Sequence, residues 1–149
     1  MNSGSSPGGR LLPGGVPVGP PLRPLDGRPL RSALTTTYFL LAEGQHSCWH
    51  RVCSDEAWHF YEGAPLDLFG AEADGTLHRD RLASGVPDAR PTGVVPAGCW
   101  QAARPAGAYA LVGCTVGPGF DFDYFELLAE GSPEAEQIRG LPGLPPELN

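Results

Sequence analysis

The chain contains no lysine: its ten basic residues are all arginine, set against 17 carboxylates, for a formal net charge of −7 over 149 residues. An acidic chain without a basic run has no face to follow a phosphate backbone, so nucleic acid is not an expected partner. Long apolar runs are missing as well. The longest near the front, Tyr38-Phe39-Leu40-Leu41-Ala42, falls far short of the roughly 20 residues a membrane helix needs, and no membrane association is expected. A secretory signal needs an unbroken apolar stretch, whereas Leu11-Leu12 runs into Pro13, Pro17, Pro20 and Pro21, so the expected location is the cytoplasm. No Cys-x-x-Cys pair occurs among Cys48, Cys53, Cys99 and Cys114. Neither a disulfide framework nor a structural zinc site is indicated, and the four are expected to be buried free thiols.

Aromatic residues are absent from both ends: all 13 lie between Tyr38 and Phe125. Residues 1–30 hold 14 of the 38 Gly and Pro residues and residues 129–149 another seven. Such ends carry little apolar surface to offset the entropy of ordering. The expected organisation is a Pro/Gly-rich leader at 1–30, closed by the turn signal Asp26-Gly27-Arg28-Pro29, then one domain at 31–128 and a C-terminal tail at 129–149.

Within the domain the sequence breaks into short runs rich in β-branched and aromatic residues: Thr35–Ala42, Ser47–Cys53, Glu56–Tyr61, Leu66–Ala71, Thr76–Leu82, Gly93–Pro96 and Tyr109–Val116. Breakers such as Glu43-Gly44, Asp74-Gly75 and Gly117-Pro118-Gly119 separate them. Seven or eight strands spaced about 8–12 residues apart predict an all-β sandwich or barrel. Phe122–Glu130 is expected to form a short closing helix.

One stretch carries chemistry. From Gly44 the spacing is five residues to His50, one to Val52, three to Glu56 and six to Gly63. Residues alternate faces along a strand, so His50 and Val52 point the same way, and after the Ser54-Asp55 turn Glu56 can face them from the next strand. A second block, Pro96-Ala97-Gly98-Cys99-Trp100-Gln101, brings Gln101 in from a distant strand to complete a polar floor inside a small barrel. His, Glu and Gln together can serve as an acid/base cluster, a hydrogen-bonding platform or a weak metal site. His59 has the opposite parity to Glu56 and is expected to face away.

The first spacing is that of the first cupin motif with its second His replaced by Val52, and the second block matches the second cupin motif with Gln101 at the His position. Together with Thr37–Leu41, Trp49–Gly63, Val95–Ala103 and Leu111–Phe122, these blocks resemble the cupin superfamily 5 proteins over about residues 32–128. The resemblance implies an all-β fold, a double-stranded β-helix (jelly-roll) barrel like that of the deoxysugar-nucleotide epimerases, with a ligand cavity, and a homodimer. Members of that family usually begin with a pocket-lining segment, of which Pro13-Gly14-Gly15-Val16-Pro17-Val18 is a remnant without its Glu, Thr and Tyr, so the cavity is expected to be more open or more apolar on that side.

His50, Glu56 and Gln101 are therefore the candidate catalytic residues, with Tyr38, Cys48, Trp58, Phe60 and Trp100 as candidate ligand-binding residues. No cofactor is expected; a divalent metal, were one bound, would use His50, Glu56 and Gln101. The expected partner is a small molecule. Three readings stand: a non-redox isomerase, epimerase or cyclase acting on a hydrophobic biosynthetic intermediate, in which His50 or Glu56 moves a proton and Gln101 orients the substrate; a cupin that binds a small molecule without chemistry; and a metal-dependent cupin enzyme.

Overall fold

A computed structural model of the chain describes the backbone of residues 10–11 and 16–22 and all of residues 31–148. The turn at Asp26-Gly27-Arg28-Pro29 lies outside the described residues. Eleven strands run in chain order: β1 (Arg10–Leu11), β2 (Val16–Leu22), β3 (Arg31–Ala42), β4 (His50–Val52), β5 (Asp55–Gly63), β6 (Leu66–Ala71), β7 (Leu77–Leu82), β8 (Thr92–Val95), β9 (Trp100–Pro105), β10 (Tyr109–Gly117) and β11 (Phe125–Leu127). They form two antiparallel sheets, β1-β3-β10-β5-β8 with β2 also on β3, and β11-β4-β9-β6-β7. The fold is a jelly-roll double-stranded β-helix with a short C-terminal helix.

The two inner faces make the core by the alternation that the sequence carries. Leu41, Trp58, Leu66, Leu68, Val95, Ala103, Val112 and Cys114 point inward and are buried together. Burial of this apolar surface is the main force holding the sheets together.

Four segments differ from the sequence expectation. Phe122–Glu130 is not a helix: Phe122–Tyr124 is a 3-10 turn capped by Asp121, and Phe125–Leu127 pairs with β4 as β11. The alternation of Phe125 and Leu127 along a strand won over helix formation. The helix lies further on, as α1 (Pro133–Arg139), where Ser132 caps the N-terminus, Pro133 follows it and Glu134 and Glu136 sit in the first turn. The segment after residue 129 is packed, because Ile138 and Leu148 cover Trp49, Phe69, Trp100 and Ala102 on the outer face of the second sheet, and the Trp49 indole donates to the Leu148 carbonyl at 2.9 Å. Finally, residues 16–22 of the leader form a strand along the first half of β3. Trp100–Pro105, absent from the predicted runs because it is rich in alanine, supplies the central strand β9.

The cysteines also depart from expectation. All four are free, but Cys48 and Cys53 are exposed, Cys99 is half-buried and Cys114 alone is buried. Cys48 and Cys53 lie just outside the short β4 (His50–Val52), in the connections at its two ends.

Candidate functional site

His50 opens β4 and pairs with Gln101 on β9 and Leu127 on β11. Its Nδ1 lies 2.8 Å from the Cys48 carbonyl oxygen. A carbonyl only accepts, so Nδ1 carries the proton and Nε2 faces inward. Across from it, 3.9 Å from Nε2, is Oε2 of Glu56, on β5 of the other sheet. The strand-turn-strand passage from β4 to β5 thus folds two residues six apart in sequence into facing positions.

Behind Glu56 runs a buried string of hydrogen bonds. The Trp58 indole N–H donates to Gln101 Oε1 at 2.8 Å, and Gln101 Nε2 donates to Glu56 Oε2 at 2.7 Å. An indole can only donate, so it fixes which end of the amide is which and turns the NH₂ toward the carboxylate. Burial raises the Glu56 carboxyl above its ordinary value, and the His50 charge and hydrogen bonds from Gln101 and the Cys114 thiol pull it back only in part. The Cys114 thiol is pushed well up by its own burial and then by the charge of Glu56.

These groups border a cavity of about 210 Å³ walled by Phe39, Cys48, His50, Glu56, Trp58 and Cys114, with Phe125 and Leu127 at its rim. Among the described residues no arginine lines it. The volume lies below the roughly 300–1,000 Å³ of sites for drug-sized ligands, so what it encloses is small.

Of the residues singled out in the sequence, His50, Glu56, Cys48 and Trp58 meet at this cavity. Gln101 is fully buried behind Glu56, both ends of its amide occupied, and so positions Glu56 rather than a ligand. Phe60 packs against the interior core away from the cavity wall. Tyr38 is on the opposite face of β3 from Phe39, 57% exposed, its ring 5.7 Å from that of Tyr61. Trp100, one residue from Gln101, points to the outer face of the second sheet, beneath the tail and the Arg51 guanidinium. Both placements follow from strand parity. Sequence reasoning missed Phe39, Cys114, Phe125 and Leu127. The first two share parity with Leu41 and with Val112 and Val116, and the last two were hidden by the expectation of a helix.

The donor set does not fit a divalent ion. No group of three His, Cys, Asp or Glu side chains converges among the described residues. The one further oxygen expected to join His50 and Glu56, Gln101 Oε1, is already bonded to the Trp58 indole and turned away from the carboxylate. No described helix is long and apolar enough to cross a membrane.

Two facing antiparallel sheets, with a histidine and a buried glutamate on adjoining strands at a cavity between them, define a double-stranded β-helix protein of the cupin type. The profile of the Cupin superfamily (DUF985) matches residues 16–128, and the chain belongs to that family. Among solved structures it is similar to a hypothetical protein from Leishmania major, at 28% identity over 85% of each chain with a TM-score of 0.69. It is also similar to a protein from Shewanella oneidensis, at 31% identity over 80% of this chain and 79% of that one with a TM-score of 0.68. Oxalate decarboxylase from Bacillus subtilis shares the fold at 15% identity, over 74% of this chain and 31% of that one, with a TM-score of 0.57. No curated protein matches the chain.

Proposed function

We propose that the chain is a small-molecule-processing cupin that moves a proton on an uncharged, largely apolar ligand: an isomerase, epimerase or cyclase working without a redox cofactor. The observation that carries this reading is the pairing, across one apolar cavity, of a histidine with Nε2 turned inward and a glutamate whose carboxyl burial holds above its ordinary value. Two titratable groups with such different environments are suited to the roles of base and acid.

In this mechanism neutral His50 accepts through Nε2 a proton from a carbon next to a carbonyl. Glu56, whose burial favours its protonated form, gives its proton to the carbonyl oxygen, and the carbonyl becomes an enol. Return of the first proton from His50 to the other face or to another carbon, with the enol proton going back to Glu56, gives the rearranged product. Gln101 and Cys114 hold the Glu56 carboxyl in place through the exchange. Among the described residues no arginine stands on the cavity wall to hold a diphosphate, which favours an uncharged substrate.

The test is solvent exchange. A panel of small cyclic and aromatic ketones is incubated with the protein in D₂O, and deuterium at the carbon next to the carbonyl is read by mass spectrometry. Exchange by the wild type that falls at least about a hundredfold in His50→Ala and Glu56→Gln supports the reading, in line with the usual size of acid–base contributions. Equal exchange in both folded variants, or binding of a ketone without any exchange, refutes it; the latter result identifies a cupin that binds its ligand without chemistry.

A further inference from the structure

The cavity does not end at His50. The Phe125 ring, on its rim, lies 5.6 Å from the His50 ring and tilts 32° to it. From there two more rings lead outward: Phe120 is 5.6 Å from Phe125, Phe122 is 6.4 Å from Phe125, and Phe120 and Phe122 are 5.0 Å apart, all at steep edge-to-face angles. Leu127, next to His50 on the neighbouring strand, is 55% exposed and borders the same opening. Phe122 is 78% exposed.

These rings are held out by a built support. Arg31 donates to the carbonyls of Pro118 and Gly119 and stacks on Tyr124 at 4.4 Å. Thr35 Oγ1 accepts from the Phe120 amide at 2.8 Å, and Asp121 Oδ1 accepts from the Asp123 amide at 2.9 Å. A polar scaffold thus fixes the segment while Phe122, and in part Phe120, stay in water, where exposed apolar surface gains nothing from the barrel's own core.

We propose that the Phe120–Phe122–Phe125 cluster is the outer half of the ligand site. The ligand then has a compact uncharged carbonyl head that reaches His50 and Glu56 and an apolar chain or ring system that lies across the three aromatic rings. This rests on the reading of the cavity as a ligand site and adds to it the class of ligand. Two observations fix the occupant. The surface is continuous with the cavity through Phe125, which belongs to both, and the cavity volume of about 210 Å³ accommodates only a small head. Carboxylates at Asp121 and Asp123 flank Phe122 in sequence, and no described arginine lines the cavity, which favours an uncharged ligand.

A homologous series of straight-chain methyl ketones, from 2-butanone to 2-nonanone, tests this by quenching of tryptophan fluorescence, since Trp58 lines the cavity. In the wild type each added methylene beyond the head is expected to tighten binding about threefold to fourfold, the factor for removing one CH₂ from water. In Phe122→Ser, a change at an exposed position, that gain is expected to fall below about 1.5-fold per methylene while 2-butanone binds as before. A chain-length dependence that survives in Phe122→Ser overturns the proposal. So does Phe122→Ser altering the sedimentation coefficient while leaving the chain-length dependence intact, because the rings then serve a contact between protein chains. Binding of the short ketones with no length dependence in the wild type overturns the outer site alone. Failure of every ketone to bind overturns the cavity reading with it.

Discussion

Replacement of Gln101 by leucine probes the polar string directly. The side chains are close in volume, so the barrel is not emptied, but Trp58 loses its acceptor and Glu56 its donor, and both are buried. Leaving the indole N–H unpaired costs about 1–3 kcal/mol, and loss of a hydrogen bond to a carboxylate costs about 1.5–3 kcal/mol. The extra apolar transfer of leucine offsets about 1 kcal/mol of this. The net expectation is destabilisation by about 1.5–5 kcal/mol, which for a denaturant dependence near 2 kcal/mol per molar moves the urea midpoint down by about 0.75–2.5 M. The pH dependence has a definite sign. Glu56 has its folded carboxyl raised above its unfolded value of 4.5, so the stability it contributes is present in acid and is lost as pH rises through the folded value. Gln101 lowers that value, so its removal raises it further, and the penalty of Gln101→Leu is expected to grow from pH 4 to pH 8. Glu56→Gln, which keeps an acceptor facing Gln101, is expected to be stabilising relative to the wild type at the upper end of that range. Urea unfolding followed by tryptophan fluorescence at several pH values reads both variants. A midpoint shift for Gln101→Leu below about 0.3 M, or a penalty that shrinks toward pH 8, refutes the reasoning.

Three further outcomes are expected. Asp67 is almost fully buried; burial alone would raise its carboxyl, but hydrogen bonds from Arg81 and Arg79 and their charges hold it below its ordinary value. Asp67→Asn is therefore expected to cost about 1–3 kcal/mol near neutrality, reduced by the partial exposure of the arginines, and to converge with the wild type as pH falls through the folded value below 3.8; a constant difference across the acid limb of a thermal-melting series contradicts this. Gly63→Ala is expected to lose about 2 kcal/mol or more, because φ there is +98° and a Cβ would run into the Tyr109 carbonyl oxygen. Gly44→Ala, with φ of +76° and nothing near, is expected to lose about 1 kcal/mol, and calorimetry of the pair measures the difference. In a thiol titration of the native protein Cys48 and Cys53 are expected to react first and Cys114 only on unfolding, since it is buried and its thiol is pushed well up; early reaction of Cys114 would mean an open barrel.

Much of this fold was legible because a barrel wall repeats with period two. His50 and Glu56 were placed face to face from spacing alone, and the strands from Leu66–Ala71 and Tyr109–Val116 have close to their predicted limits. The errors share a cause. Trp100 and Tyr38 are aromatic, and composition says that an aromatic is worth burying without saying on which side of a strand; one-residue parity sends Trp100 to the outer face while Gln101 goes inside. The tail was misjudged for a related reason. Counting its Gly and Pro overlooked Ile138, Leu141, Leu144 and Leu148, whose spacing lets a short helix and its exit lie over Trp49 and Trp100. Gln101 shows a limit of another kind: its role depends on which end of an amide meets an indole across the barrel, and no local pattern encodes that.

The direction of that string has a consequence for proton traffic. Trp58 can only give a hydrogen bond, the Gln101 amide passes one on, and the Cys114 thiol, held protonated by its burial, gives another. Among the described residues, each group hydrogen-bonded in this string behind Glu56 is thus already a donor and has no place for a proton. The interior works as a one-way wall, and a proton leaving Glu56 has a single exit, through the cavity toward His50 or whatever lies between them.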